Sequence, residues 1–155
     1  MATLNPYLNF NGTTEEAFNF YKSVFGGEFT NLIRFKDTPG QEKLSAGDQQ
    51  KIMHVSLPVG KENVLMGTDA LESMGHKVTG GNNVQMSLTA KSENEAKQLF
   101  EGLAKGGKIT VPLGKASWGD YFGMLTDKYG IQWMVDYAYP NPSADGRKER
   151  ELAHH

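Results

Sequence analysis

The sequence predicts an α+β fold built from two copies of one βαβββ unit, each a curved mixed sheet carrying one helix. Three observations predict it. Two segments carry the same helix start and stop signals, their offset along the chain is nearly constant, and four strand-like segments surround each of them in the same order.

The first helical segment runs from Thr13 to Phe25 and is followed by Gly26-Gly27; the second runs from Ser92 to Lys105 and is followed by Gly106-Gly107. Both open with the spacing of a capping box, Thr13 with Glu16 and Ser92 with Glu95. In that motif the hydroxyl accepts the amide three residues on and the carboxylate reaches back. Apolar residues recur at helical spacing: Ala17, Tyr21, Val24 and Phe25 in one, Ala96, Leu99, Phe100 and Leu103 in the other. A glycine pair closes each segment, as a left-handed helix end favours. The offset is 79 residues between Ala17 and Ala96 and 80 between Gly26 and Gly106. Such a register marks an internal repeat.

Strands are expected at 4–10, 28–35, 51–59 and 63–68 in the first copy, and at 83–90, 108–113, 120–126 and 131–137 in the second. Short turns, Gly60-Lys61-Glu62 and Asp127-Lys128-Tyr129-Gly130, join the last pair of each copy as hairpins require. The polar stretch 37–50 reads as a mobile loop. The expected organisation is a first module over 1–70, a link over 71–82, a second module over 83–138 and a flexible C-terminal tail over 139–155. His154 and His155 could be native or belong to a tag.

Composition excludes several functions. The 16 Lys and Arg nearly balance the 18 Asp and Glu, so there is no basic stripe for nucleic acid. The sequence has no cysteine, which removes disulfides, thiolate metal sites and cysteine nucleophiles. No secretory signal is legible at the start, and no apolar run approaches a membrane span. A cytoplasmic protein with no membrane partner is the expectation.

One helix covers only one face of a four-stranded sheet, so each unit leaves a face bare. Two such sheets side by side are expected to share a concave cleft, the natural place for a ligand. The same incompleteness predicts a homodimer, with swapping of a module between chains as a low-cost route to it.

Two sets of strings carry a resemblance. Pro6-Tyr7-Leu8-Asn9-Phe10-Asn11-Gly12, with Glu16-Ala17, Phe20-Tyr21 and Val24-Phe25-Gly26-Gly27, opens the chain. Trp118-Gly119-Asp120-Tyr121-Phe122-Gly123 and Asp127-Lys128-Tyr129-Gly130-Ile131-Gln132-Trp133-Met134 close it. Over roughly residues 3 to 138 these strings resemble PhnB-like proteins of the glyoxalase/bleomycin-resistance/dioxygenase (vicinal oxygen chelate) superfamily. The resemblance implies paired βαβββ modules, the glyoxalase/bleomycin-resistance fold and a homodimer. Relatives are also described as 3-demethylubiquinone methyltransferases, whereas this sequence has no glycine-rich loop between a strand and a helix to seat a nucleotide-type cofactor.

The superfamily's metalloenzymes hold a divalent metal with His, Glu or Gln from the first and last strand of each module. Carried over, those positions fall on Asn5 or Pro6 and near Met66 in the first module, and on Val84 or Gln85 and Met134 in the second. A hard divalent ion needs carboxylates or imidazoles. The expectation is therefore no metal site and no cofactor.

Of the remaining candidates, His54 sits mid-strand, where it is either an acid–base group facing the cleft or a hydrogen-bonded structural histidine. His76, beside Gly75, reads as solvated. Trp133 lies in an apolar strand and reads as core, while Trp118 stands equally well at a cleft rim or in packing. Strand alternation lets Gln85 share a face with Ser87. The candidate cleft lining is His54, Met66, Gln85, Ser87, Trp118, Phe122 and Met134, with ordinary barrel filling as the plain alternative; no catalytic residue is assigned. Glu15, Glu16, Glu93 and Glu95 are explained by their helix N-termini. Three functions follow in order: metal-free binding of a small apolar or aromatic molecule, a metal-dependent lyase, isomerase or dioxygenase, and a ligand-free scaffold. The second would draw on His54, Gln85 and Asp136.

Overall fold

A computed structural model describes residues 2–140, and the fold it shows is α+β with two four-stranded mixed sheets. The chain divides into two compact units between Gly81 and Asn82. The expected tail beyond residue 140, with His154 and His155, lies outside the described residues.

In the first unit β1 (Tyr7–Phe10), β2 (Asn31–Arg34), β3 (Ile52–Val59) and β4 (Asn63–Asp69) form a sheet in the order β1-β4-β3-β2. β1 runs parallel to β4 and the other neighbours are antiparallel. Helix α1 (Thr14–Phe25) makes the crossover between β1 and β2, and buries Ala17, Phe18 and Tyr21 completely against one sheet face. Full burial of a side chain the size of Phe18 stabilises by roughly 1.5–3 kcal/mol. The sequence stripe includes Val24 and Phe25, which are half-buried, and omits Phe18, which lies at the centre.

The second unit repeats the plan with β5 (Met86–Thr89), α3 (Glu93–Ala104), β6 (Lys108–Lys115), β7 (Tyr121–Thr126) and β8 (Gln132–Tyr137), in the order β5-β8-β7-β6. Here α3 buries Ala96, Phe100 and Leu103. A glycine admits the aromatic ring in each unit. Gly67 lies under Phe18, whose Cε1 is 2.5 Å from where a Cβ would stand, and Gly123 lies under Phe100 at 2.7 Å. The two glycines sit on different strands of the same cross-strand pair: Val55 faces Gly67 in one unit, and Gly123 faces Val135 in the other. Duplication has kept the space and exchanged the strand that supplies it.

Only one of the two expected capping boxes has a capping side chain. Ser92 Oγ accepts the Glu95 amide at 3.0 Å, while the Glu95 carboxylate reaches the amide of Lys91 rather than that of Ser92. Thr13 makes no side-chain cap. The α1 N-terminus is held from the sheet instead: buried Asp69 accepts the Thr14 amide at 3.0 Å and the Thr14 hydroxyl at 2.7 Å on Oδ1, and the Ile52 amide at 2.8 Å on Oδ2. A partner 55 residues away satisfies the helix end, and local spacing cannot reveal that.

The strands begin later than expected at both module starts. Pro6 has no amide to give to a ladder, so β1 starts at Tyr7, and Asn5 Oδ1 stands in by accepting the Val64 amide at 3.0 Å. At β5 the Gln132 side chain donates to the Val84 carbonyl at 2.9 Å in the same way. The 37–50 stretch contains a short helix, α2 (Ala46–Gln50), capped by Ser45 and tied down where Asp48 meets Lys51 and Ser73. Within 71–82, Leu71 is 1% exposed and the Asn11 side chain exchanges two hydrogen bonds with the Val78 backbone, so these residues are fastened to the first unit.

Candidate functional site

Each sheet has a face that its helix does not cover, and strand alternation assigns the residues on it. In the first unit the register sets Tyr7 beside Met66, Met66 beside Ser56, and Ser56 beside Asn31 across all four strands. His54 lies two residues from Ser56 on the same face and pairs with Ile33. In the second unit Ser87, Met134 and Met124 form the corresponding row, with Thr89, Asp136 and Phe122 beside it.

The helix-free face of the first unit carries a chain of hydrogen bonds. The Tyr7 hydroxyl lies 3.1 Å from Nδ1 of His54, and Nε2 of His54 lies 2.9 Å from the Ser56 hydroxyl. Tyr7 is 45% exposed and Ser56 only 5%, so the chain runs from an accessible phenol to a buried hydroxyl. Thr68, also on this face, spends its hydroxyl on the Met53 carbonyl at 2.7 Å. None of the strand residues assigned to this face is a carboxylate, lysine or arginine.

In the second unit the face is more apolar. Half-buried Met124 and Met134 are cross-strand neighbours, and Trp118 packs edge-on to Phe122 with ring centroids 5.1 Å apart. Trp118 is 48% exposed, which leaves much of its ring accessible. It stands in the turn that leads into β7, where the Ala116 amide donates to the Asp120 carbonyl at 2.7 Å. Trp133 is core, as expected: it is 2% exposed, and its Nε1 donates to Asp127 Oδ2 at 2.9 Å. Asp127 also accepts the Tyr129 and Ile131 amides, so one carboxylate closes the hairpin and anchors the indole.

A model for the family described as 3-demethylubiquinone-9 3-methyltransferase matches residues 2–136. The chain belongs to that family. Among solved structures, protein PA1353 of Pseudomonas aeruginosa is 37% identical, with a TM-score of 0.78 over 89% of this chain and 98% of its own. A PhnB protein from Bacillus cereus, described as a 3-demethylubiquinone-9 3-methyltransferase, is 28% identical, with a TM-score of 0.73 over 88% of this chain and all of its own. Protein YjdN of Escherichia coli K12 is 28% identical over 90% of this chain and 98% of its own. More distant structures share the fold alone, among them a glyoxalase/bleomycin resistance protein from Albidiferax ferrireducens, 15% identical with a TM-score of 0.56 over 84% of this chain and 95% of its own. The chain is thus similar to PhnB-like proteins and has the glyoxalase/bleomycin-resistance fold.

The superfamily's metal positions can now be tested against the residues present. Across from Met66 stands Tyr7, and across from Met134 stands Ser87. The carried-over positions Asn5 or Pro6 and Val84 or Gln85 precede β1 and β5, and offer at most the amides of Asn5 and Gln85 beside the thioethers of Met66 and Met134. The strand residues facing those methionines, Tyr7 and Ser87, add a phenol and a hydroxyl. A hard divalent ion is held by carboxylates and imidazoles, so these residues do not fit one. Among the described residues no three His, Asp or Glu side chains converge.

The other candidates separate clearly. Met66 and His54 share one face in the first unit; Ser87, Phe122 and Met134 share one in the second, with Trp118 against Phe122. Gln85 precedes β5 and is exposed, and His76 is exposed as well. Sequence reasoning missed Tyr7 and Ser56. Ser56 was findable, because a residue two along from His54 in a strand shares its face. Tyr7 was not, because it is the pairing of β1 with β4, beside β3, that brings its hydroxyl within reach of His54.

Proposed function

We propose that this protein binds a small apolar or aromatic molecule without a metal, on the helix-free sheet faces that are expected from the sequence to border a cleft. The observation that carries this is the chemistry of those faces. Met66, Met124, Met134, Phe122 and Trp118 offer polarizable and aromatic surface, with few polar groups among them. Methionine adapts to irregular apolar shapes, and an exposed indole stacks on planar ones. A thermal-shift screen of apolar and aromatic compounds tests the reading. Stabilisation by a subset of them is expected, and no shift with any compound would refute it.

A metal-dependent lyase, isomerase or dioxygenase is the second reading, favoured by the chemistry of the superfamily. It requires ligands that the residues facing Met66 and Met134 do not provide. A stoichiometric divalent ion in protein purified without affinity metal, displaced by a chelator, would establish it. A methyltransferase reading rests on the family description and has little to stand on here. The connections from β1 to α1 and from β5 to α3 are short, and hold one glycine and none. Neither is a glycine-rich loop of the kind that seats a nucleotide-type cofactor.

A further inference from the structure

Most hydrogen-bonding groups on the helix-free face of the first unit are committed to the backbone or stand singly. Among the described residues, the side chains of Tyr7, His54 and Ser56 are the exception, because they hydrogen-bond only to one another, in a line. A neutral imidazole carries one N–H and one lone pair. Two arrangements therefore satisfy the line. In one, the Tyr7 hydroxyl donates to Nδ1 and the Nε2 proton donates to Ser56. In the other, Ser56 donates to Nε2, the Nδ1 proton donates to the Tyr7 oxygen, and the Tyr7 O–H is free to point away. Both keep the same two bonds, so the exchange sacrifices none.

We propose that Tyr7–His54–Ser56 is a reversible hydrogen-bond relay that gives this face a polar handle able to accept or donate, and that it selects aromatic ligands bearing one hydroxyl or carbonyl oxygen. The inference rests on the proposed function, since it needs the face to bind an apolar body. Three observations define the ligand. Tyr7 is accessible at 45%, so its oxygen can be reached from outside. Met66 stands directly beside Tyr7 and Ser56, giving the aromatic body a polarizable floor next to the handle. The strand residues assigned to the face include no carboxylate, lysine or arginine, so nothing there calls for a charged ligand. A phenol donates to the Tyr7 oxygen and draws the line into its first arrangement; a ketone accepts from Tyr7 and draws it into the second. His54 and Ser56 act through Tyr7 and are positioning residues.

The test uses the full chain with 2-naphthol, 2-acetylnaphthalene and 2-ethylnaphthalene, titrated calorimetrically into the wild type and Tyr7→Phe. Loss of the handle is expected to weaken the naphthol and the ketone by about 2- to 12-fold, the worth of one neutral hydrogen bond, and to leave the hydrocarbon unchanged. In ¹⁵N spectra of the wild type, the His54 ring is expected to shift toward the Nε2–H tautomer with the naphthol and toward Nδ1–H with the ketone. A structural role for His54 would not make the tautomer follow the ligand. Equal weakening of all three compounds, or one tautomer with both oxygen ligands, would overturn the relay while leaving the binding face intact. Failure of all three to bind the wild type would overturn the binding reading and the relay together.

Discussion

Asp69→Asn is the sharpest perturbation of the frame that presents these faces. The carboxylate is 4% exposed and accepts three hydrogen bonds, two from Thr14 on Oδ1 and one from the Ile52 amide on Oδ2. Asparagine preserves size and keeps an oxygen for Thr14, but it turns an NH2 toward the Ile52 N–H. Donor then meets donor in a buried place. An unsatisfied buried amide costs about 1–3 kcal/mol, and weakening of the charge-assisted bonds to Thr14 raises the total to about 2–4 kcal/mol. Asp69→Ala removes both acceptor oxygens, and with them all three hydrogen bonds, and is expected to cost about 3–5 kcal/mol, a large share of a small domain's stability. Urea unfolding followed by circular dichroism measures both. Thr14→Val in the Asp69→Asn background should cost less than in the wild type, because the shared oxygen is already weakened. A loss below about 0.5 kcal/mol for Asp69→Asn would show that α1 is capped by something other than this carboxylate.

Other expectations come from the same geometry. Gly67→Ala drives a Cβ to 2.5 Å from the ring of fully buried Phe18, and is expected to destabilise by about 1–3 kcal/mol; Gly114→Ala meets no atom within 4 Å and is expected to lie within about 0.5 kcal/mol of wild type in the same unfolding experiment. The Arg34 guanidinium hydrogen-bonds Glu15 and holds its carboxyl below the ordinary glutamate range. Because the folded value is the lower one, the pair's contribution is present above the ordinary range and is lost as pH falls through the folded value. With side chains 23% and 46% exposed it is worth about 0.2–1 kcal/mol, so the stability gap between wild type and Arg34→Gln should narrow as acid is added. Sedimentation equilibrium is expected to return twice the 17.1 kDa chain mass, and a monomer at all concentrations would contradict the homodimer proposed from the two-module plan.

The sequence carried the architecture because its signals were local and stated twice. Helical stripes, glycine stops and hairpin turns recur at one offset, and each maps to an element within a few residues. What it could not carry was long-range. Asp69 at the α1 N-terminus and Phe18 over Gly67 each join residues far apart in the chain. The short helix α2 was hidden for another reason: it is only five residues long, includes Gly47 and Asp48, and is held by Ser45, Ser73 and Lys51. For the candidate site, period-two alternation sets Ser87 and Met134 on faces that the strand register describes. It could not count through Pro6, where the strand had not begun, and so it missed Tyr7.

The central claim is that an aromatic compound binds this protein without help from a metal. The most direct test is a calorimetric titration of 2-acetylnaphthalene into one preparation, before and after exhaustive dialysis against EDTA. Saturable binding with the same affinity in both states is the predicted result. Absence of binding, or binding that vanishes with the chelator and returns with added divalent ion, would contradict it.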